Sequence, residues 1–373
     1  MRVLIAGGGT GGHFYPALAL IERLRREDPT VRIAYAGTRR GIEARLLPSY
    51  PYVRFFPIHG RGLVRGGWLG NVSAFLQLLL GFLEALVIYV RFRPRIVIGM
   101  GSYSSFAPVF LGAVLGRLLP IRTLIHEQNA VPGLANRILS RFVDTVLVSF
   151  QRTRSDFPRA RRVVVTGTPV RAEFFRAKKT EDAYCRFGLD PNRRTVLVFG
   201  GSLGSARLVD GILRAKEELG DRMQVLLVLG GATDEDPIRC ELDRVGIQNI
   251  VVRRYIERMG EAFAIADLVV ARAGATTIAE IAACGKPAIL VPWGGAADGH
   301  QWENARLLQA EEGCTVADED AIVDGGLVDL IRRLVSDDAA LARLARNARR
   351  SGRRDADALI MGEIRFQMRG AGA

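Results

Sequence analysis

Short apolar runs alternate with stretches of helical spacing along most of the chain. Residues 3–6, 31–36, 96–99, 122–125, 145–148 and 163–165 form a first series of such runs. Residues 195–199, 225–229, 250–252, 268–270 and 288–291 form a second. Runs this short and this uniformly apolar predict strands buried on both faces, and the helical patterns between them predict covering helices. The expected class is α/β, with parallel sheets. A polar, charge-rich stretch over residues 171–194 separates the two series and marks a domain boundary. At 373 residues the chain also exceeds what one core usually supports. The expected organisation is therefore an N-terminal domain over 1–166, a second over 167–345, and a helical tail over 346–373. The tail has helical spacing over residues 355–368 and is expected to pack back on the N-terminal domain.

Both series open in the same way. The first run leads into Gly7-Gly8-Gly9-Thr10-Gly11-Gly12, and residues 195–199 lead into Gly200-Gly201-Ser202-Leu203-Gly204. Glycine lets the backbone turn tightly and lets N–H groups approach an anion. A turn that feeds a helix start adds the helix dipole, so each is a candidate phosphate cradle. Two strand–turn–helix units predict two related Rossmann-like domains facing each other across a cleft that encloses one ligand. Gly7, Gly9 and Gly12 also satisfy G-x-G-x-x-G, which raises a dinucleotide reading. The end of the second strand is Tyr35-Ala36-Gly37, without the acidic residue a ribose needs, and this argues against it. His13 directly follows the first turn. Imidazole at a helix start has the proton affinity to deprotonate a sugar hydroxyl, and the helix N-terminus favours its neutral form.

The charge points to an anionic partner. Formal net charge is +13 and the sequence pI is about 10.2. Only four of the 52 basic residues are lysine, so part of this is an arginine bias of composition. Cys185, Cys240, Cys284 and Cys314 form no CxxC pair, which argues against a zinc site or disulfide framework and suits a reducing compartment. The N-terminal apolar stretch is too short for a signal peptide, so a cytoplasmic location is expected.

Several segments together resemble one family. They are Gly8-Gly9-Thr10-Gly11-Gly12-His13 with Pro16, Gly99-Met100-Gly101 with Tyr103, and His126-Glu127-Gln128-Asn129. Further on come Gly167-Thr168-Pro169-Val170-Arg171, Gly200-Gly201-Ser202, and Arg272-Ala273-Gly274-Ala275-Thr276-Thr277-Ile278-Ala279-Glu280. Asp298-Gly299-His300-Gln301 with Asn304-Ala305 completes the set. In this order they resemble the MurG family, bacterial transferases that move N-acetylglucosamine from its UDP carrier to lipid I, forming lipid II. The resemblance implies a GT-B fold, inversion at the sugar carbon, and no required metal or other cofactor. It places Thr10, Gly11, Gly12 and His13 at the sugar and acceptor end, with His13 as the base. Asn129 and Gln301 would contact the donor sugar, Arg171 and Ser202 the diphosphate or nucleoside, and Ile256 the uracil. Ala275, Thr276, Thr277, Ile278, Ala279 and Glu280 would open a helix facing the diphosphate and sugar, with Glu280 on the ribose hydroxyls.

The residue types support these roles on their own. Ala275-Thr276-Thr277 starts a helix after a buried run and Gly274, so its N–H groups can face a leaving diphosphate. Arg171 can neutralise charge that builds on UDP. Asp234-Glu235-Asp236, Asp318-Glu319-Asp320 and Asp355-Ala356-Asp357 match a D-x-D metal pattern, but each lies in a polar stretch and is expected to be solvated charge. The chain departs from the family pattern at Leu203, Ser205 and Ser102, the last replacing a glycine before Tyr103.

Residues 74–90 are apolar except for Gln77, Gly81 and Glu84, just short of a spanning helix. Trp68 and Arg61, Arg65, Arg91, Arg93 and Arg95 border them. Such a helix suits an anionic membrane surface, which predicts a peripheral enzyme on the cytoplasmic face of the plasma membrane. The plainer alternative is a helix buried against the sheet, although it is apolar on more sides than one sheet can cover. Two other functions fit the architecture or charge: a UDP-N-acetylglucosamine 2-epimerase, and a basic nucleic-acid-binding protein. No aromatic RNA platform or DNA-reading motif is present, so nucleic acid is not an expected partner.

Overall fold

The computed structural model describes residues 1–60, 68–220, 223–231 and 234–369. They divide into two compact units: residues 1–169 with 354–373, and residues 170–353.

The first unit holds seven parallel strands: β1 (Arg2–Ala6), β2 (Arg32–Gly37), β3 (Val53–Pro57), β4 (Ile96–Gly99), β5 (Arg122–Glu127), β6 (Thr145–Val148) and β7 (Val163–Val165). Their order is β3-β2-β1-β4-β5-β6-β7. Helices cover both faces, and β1 is fully buried from Val3 to Ala6, as an unbroken apolar run requires in a parallel sheet. Ala6 pairs with Ala36 on one side and Gly99 on the other. All strands run in one direction, so the chain leaves β1, β4 and β5 on the same edge. Gly7–Gly12, Met100–Gly101 and Gln128–Asn129 are therefore neighbours.

The second unit repeats the plan with six strands: β8 (Arg194–Phe199), β9 (Met223–Val228), β10 (Ile250–Arg253), β11 (Leu268–Ala271), β12 (Ala288–Leu290) and β13 (Thr315–Val316). The order is β10-β9-β8-β11-β12-β13, again parallel. β3 and β13 were not expected from the pattern. Both lie at a sheet edge, and neither contains a fully buried run.

The chain returns to the first unit at Arg354, eight residues beyond the expected tail start at 346, because Leu341, Leu344 and Ala348 of the helix Asp338–Ser351 are buried in the second unit. The last helix, Ala356–Arg369, buries Ile360, Met361 and Ile364 in the same core as Val3, Ile5 and Leu20. Glu363, 5% exposed, accepts from Arg162 at 2.9 and 3.1 Å and from the Thr145 hydroxyl at 3.1 Å. Arg162 also lies over Phe366. Glu363→Ala should therefore destabilise the first unit, by about 1–2 kcal/mol, since Arg162 keeps access to water. Chemical denaturation followed by a probe in the first unit would measure it; an unchanged midpoint would remove the tether.

Ser102 has φ 70° and ψ 161°, a region that almost only glycine occupies without strain. The turn still requires what the family's glycine supplies. Ser102→Gly should stabilise the chain by about 1 kcal/mol, read as a raised unfolding midpoint; a lowered midpoint would show that the contact of its hydroxyl with Ser104 outweighs the strain.

Candidate active site

In the first unit, His13 sits at the start of the helix Gly11–Glu27 and is half-buried. Its ring lies against Gly101, where an added Cβ would stand 2.9 Å from His13 Nδ1 and 3.4 Å from Gln128 Oε1. Gly101 also has φ +85°, so both the turn and the imidazole demand glycine there. Gln128 is held in place by donating its amide to the Met100 carbonyl at 2.9 Å. His126 is fully buried behind them and donates Nε2–H to the Gly167 carbonyl at 2.9 Å. Burial pushes its pKa down to about 4, and the nearby His13 adds to this, so His126 is a neutral structural imidazole.

Asn129 is positioned by a carboxylate. Glu127 accepts from the Asn129 backbone and amide at 3.0 and 3.2 Å, from Gly133 N–H at 3.1 Å and from the Asn136 amide at 2.8 Å. The Gly7–Gly12 turn contains an anion of the chain's own. Gly9 N–H donates to both oxygens of Glu43, each at 3.1 Å. This corrects the reading of the turn as an open phosphate cradle: the Gly9 N–H is already occupied by a carboxylate from the helix Ile42–Leu46. Nothing in the apolar pattern signals it, because Glu43 lies in a five-residue helix outside every apolar run read from the sequence.

In the second unit, Gly200, Gly201 and Gly204 form the second turn. Gly201 and Gly204 have φ of +84° and +79°, and a Cβ on Gly204 would meet the Leu229 carbonyl at 2.1 Å. Ser202 stands in this turn, half-buried, whereas Leu203 is 75% exposed. Ser205 caps the helix Ala206–Arg214, its oxygen accepting from Leu208 N–H at 3.4 Å and from Arg272 at 3.1 Å. Arg272 also reaches the Val291 carbonyl at 3.2 Å and pairs with Glu319 at 2.6 Å. Glu319 is therefore not the solvated charge expected of its D-x-D stretch, although Asp318 and Asp320 are exposed. Likewise Asp357 pairs with Arg23 at 3.2 Å and with Arg26 at 3.6 Å.

The helix Ala275–Cys284 starts after β11 with Gly274 as its N-cap, and buries Ala275, Thr276, Ile278 and Glu280. Thr277 and Ala279 are half-buried on the same helix. Glu280 faces Arg171 at 3.6 Å, while Arg171 also pairs with Glu173 at 2.8 Å and stacks over Phe174. Burial raises the Glu280 pKa to about 7; Arg171 opposes this and Glu173 adds to it. The link from Arg171 to Glu280 was not foreseen. Ile256, 8% exposed, belongs to the core that contains Val170 and Phe174. Gln301 accepts from the Trp293 N–H at 2.9 Å, which fixes its amide.

The apolar helix spans Trp68–Phe92. Ala85, Ile88, Tyr89 and Phe92 are buried, with the Tyr89 hydroxyl donating to the Pro108 carbonyl at 2.7 Å. Leu76, Leu79, Leu80, Leu83, Leu86, Val87 and Val90 are exposed, Leu83 at 62% and Val90 at 65%. Glu84 turns to His59, accepting from its backbone at 2.7 Å and lying 2.8 Å from Nδ1. The helix thus has one buried face, as the plainer alternative expects, and one exposed apolar face. Arg91, Arg93 and Arg95 are exposed at its end; Arg61, Arg65 and the Trp68 side chain lie outside the described residues. No helix among the described residues is long and apolar enough to cross a membrane.

Comparison with known proteins matches residues 3–148 to the glycosyltransferase family 28 N-terminal domain and residues 195–360 to its C-terminal domain. The chain is 39% identical over 364 residues to the UDP-N-acetylglucosamine–N-acetylmuramyl-(pentapeptide) pyrophosphoryl-undecaprenol N-acetylglucosamine transferase of Desulforamulus reducens, covering 95% of this chain and 96% of that one. It is 35% identical to the protein of that name from Bacillus subtilis, covering 96% and 98%. Among solved structures it is similar to MurG of Acinetobacter baumannii, with TM-score 0.73, 27% identity and coverage of 98% and 99%. A UDP-GlcNAc 2-epimerase from Neisseria meningitidis, 12% identical over 98% and 99% of the two chains, shares the fold alone, with TM-score 0.67.

Proposed function

Because the chain belongs to glycosyltransferase family 28, and within it to the UDP-N-acetylglucosamine–N-acetylmuramyl-(pentapeptide) pyrophosphoryl-undecaprenol N-acetylglucosamine transferases, we infer that it forms lipid II from lipid I. N-acetylglucosamine moves from UDP-N-acetylglucosamine to the N-acetylmuramyl 4-hydroxyl, a step of peptidoglycan synthesis. The observation that carries this reading is 39% identity along 95% of the chain to a protein with that activity in its name. The fold is GT-B, built from the two parallel-sheet units.

The acceptor hydroxyl attacks the anomeric carbon, the bond from that carbon to the UDP oxygen breaks, and the configuration inverts. His13 takes the hydroxyl proton. Its position against Gly101 and Gln128 supports that role, because a base must be held within reach of one oxygen. Thr10, Gly11 and Gly12 shape the acceptor end, and Asn129, oriented by Glu127, contacts the donor sugar. In the second unit, Ser202 and Arg171 face the diphosphate, and Ile256 packs beside the uracil. The helix start at Ala275–Thr277 meets the departing charge, with Ile278 and Ala279 lining the same turn. Glu280 accepts the ribose hydroxyls and Gln301 holds the sugar. Incubation with UDP-N-acetylglucosamine alone should leave the sugar unchanged, with UDP released only after a lipid I analogue is added. Sugar interconversion without acceptor would instead favour the epimerase reading.

The exposed apolar face of Trp68–Phe92 supports a further assignment. Seven large apolar side chains bordered by exposed arginines fit the boundary of an anionic leaflet. The enzyme would then sit peripherally on the cytoplasmic face, where a lipid-linked acceptor is reached. Leu83→Glu with Val90→Glu should lower flotation with anionic vesicles at least tenfold while leaving UDP affinity unchanged. Undiminished flotation would place the contact elsewhere.

A further inference from the structure

Glu43 is the most enclosed carboxylate in the first unit's turn region, with 0% exposure. Besides both contacts from Gly9 N–H, one of its oxygens accepts from the Thr38 backbone N–H and from the Thr38 hydroxyl, each at 2.7 Å. Three glycines make room for it. A Cβ on Gly8 would stand 2.0 Å from Glu43 Oε1, one on Gly41 2.2 Å from Oε2, and one on Gly37 2.7 Å from its Cγ. A long carboxylate could normally swing away from such contacts. This one cannot do so without stranding two backbone donors and a hydroxyl in a dry corner. Gly9 itself meets no obstacle but has φ +91°, so its glycine serves the backbone geometry that points its N–H at Glu43.

The corner is defined by its neighbours. Gly9 follows β1, and Gly37 and Thr38 end β2. In sheets of this kind the first turn and the end of the second strand are where a dinucleotide places its phosphates and ribose. Here a carboxylate of the chain itself takes those donors. Gly9 lies immediately before Thr10, the N-cap of the helix that begins with Gly11 and carries His13. Thr10 makes no side-chain cap, so the entry to this helix is not fixed by its own capping residue.

We propose that Glu43 is a positioning residue for the transfer reaction: a built-in anion that clamps the Gly7–Gly12 turn, sets the start of the helix bearing His13, and closes that corner to a nucleotide phosphate. It acts through the turn and touches no substrate. The proposal rests on the assignment of His13 as the base, and it explains how two similar glycine turns serve different ends. The second turn keeps its assignment to UDP.

Full-length Glu43→Gln and Glu43→Ala, assayed with UDP-N-acetylglucosamine and a lipid I analogue, test it. Glu43→Gln keeps the shape but turns an NH₂ group toward donors. It should lower kcat at least tenfold, with the donor KM and UDP affinity within about threefold of the parent. Glu43→Ala should lose more, and formate at tens of millimolar should restore kcat severalfold where chloride does not. A kcat near the parent value in Glu43→Gln would overturn the proposal. So would loss of UDP affinity in step with kcat, or a Glu43→Ala enzyme indifferent to formate. If both variants fail to yield folded protein, and Glu43→Asp folds with an unaltered kcat or fails as well, the role is structural and the proposal is overturned. The parent reading fails separately: an active His13→Ala beside an impaired Glu43→Gln removes the base and leaves the clamp.

Discussion

His13→Ala should lower kcat with UDP-N-acetylglucosamine and a lipid I analogue by about 10²–10⁴-fold, while the donor KM should stay within a small factor. The size follows from general base catalysis, and the split from geometry. His13 sits in the first unit, whereas most of the assigned donor contacts come from the second. Gly101→Ala tests the same site without removing the imidazole. Its methyl group would press on His13 Nδ1 from 2.9 Å at a backbone φ of +85°. A displaced base should cost on the order of 10²-fold in kcat. A His13→Ala enzyme with near-parent turnover would remove His13 from the base role. A normal Gly101→Ala enzyme would show that the ring does not need its observed seat.

Donor binding should depend on pH through Glu280, and the sign can be worked out. Burial raises its pKa from 4.5 to about 7, so the carboxyl is mostly neutral at pH 6 and mostly ionised at pH 8. Two ribose hydroxyls donate best to the ionised form, so affinity for UDP-N-acetylglucosamine should rise between pH 6 and 8. Binding near pH 6.5 should release a proton, seen calorimetrically in buffers of different ionisation heat. Glu280→Gln should weaken binding by about 10- to 100-fold, the worth of one or two charge-assisted bonds, and flatten the pH profile. The stability of the free enzyme runs the other way. A raised carboxyl pKa contributes stability that is present below 4.5 and lost as pH rises through about 7. The same group therefore favours the empty fold in acid and the loaded one in mild base. A parent profile flat over this range, or one unchanged by Glu280→Gln, would remove the carboxylate from the ribose.

Much of the fold was legible because parallel strands are buried on both faces. Eleven runs without alternation, such as residues 3–6 and 268–270, needed no knowledge of tertiary contacts. β3 and β13 escaped because neither carries a continuous apolar signal: Val-Arg-Phe-Phe-Pro is interrupted by a charge, and Thr-Val is only two residues long. His13 was legible from its place after a glycine turn. Glu43 was not, since its burial depends on Gly8 and on the Gly9 N–H, the latter 34 positions away, which only the folded corner brings to it. The pairing of Arg171 with Glu280 joins residues 109 positions apart, a distance that no spacing rule spans. Glu319 shows the same limit from the other side. A polar stretch reads as solvated charge until Arg272, buried beside it, turns one carboxylate inward.

The return of Ala356–Arg369 to the first unit has a consequence for biosynthesis. Ile360, Met361 and Ile364 share a core with Val3 and Ile5, so the first unit closes its core with residues made only after the whole of the second unit. The second unit, an uninterrupted stretch, can fold while the first still waits for the helix Ala356–Arg369. A nascent chain stalled near residue 353 would thus present an exposed apolar groove along the helix Gly11–Glu27, with Arg23 and Arg26 lacking their partner Asp357. Quality control would meet a half-made enzyme with its second unit finished and its first unit still open.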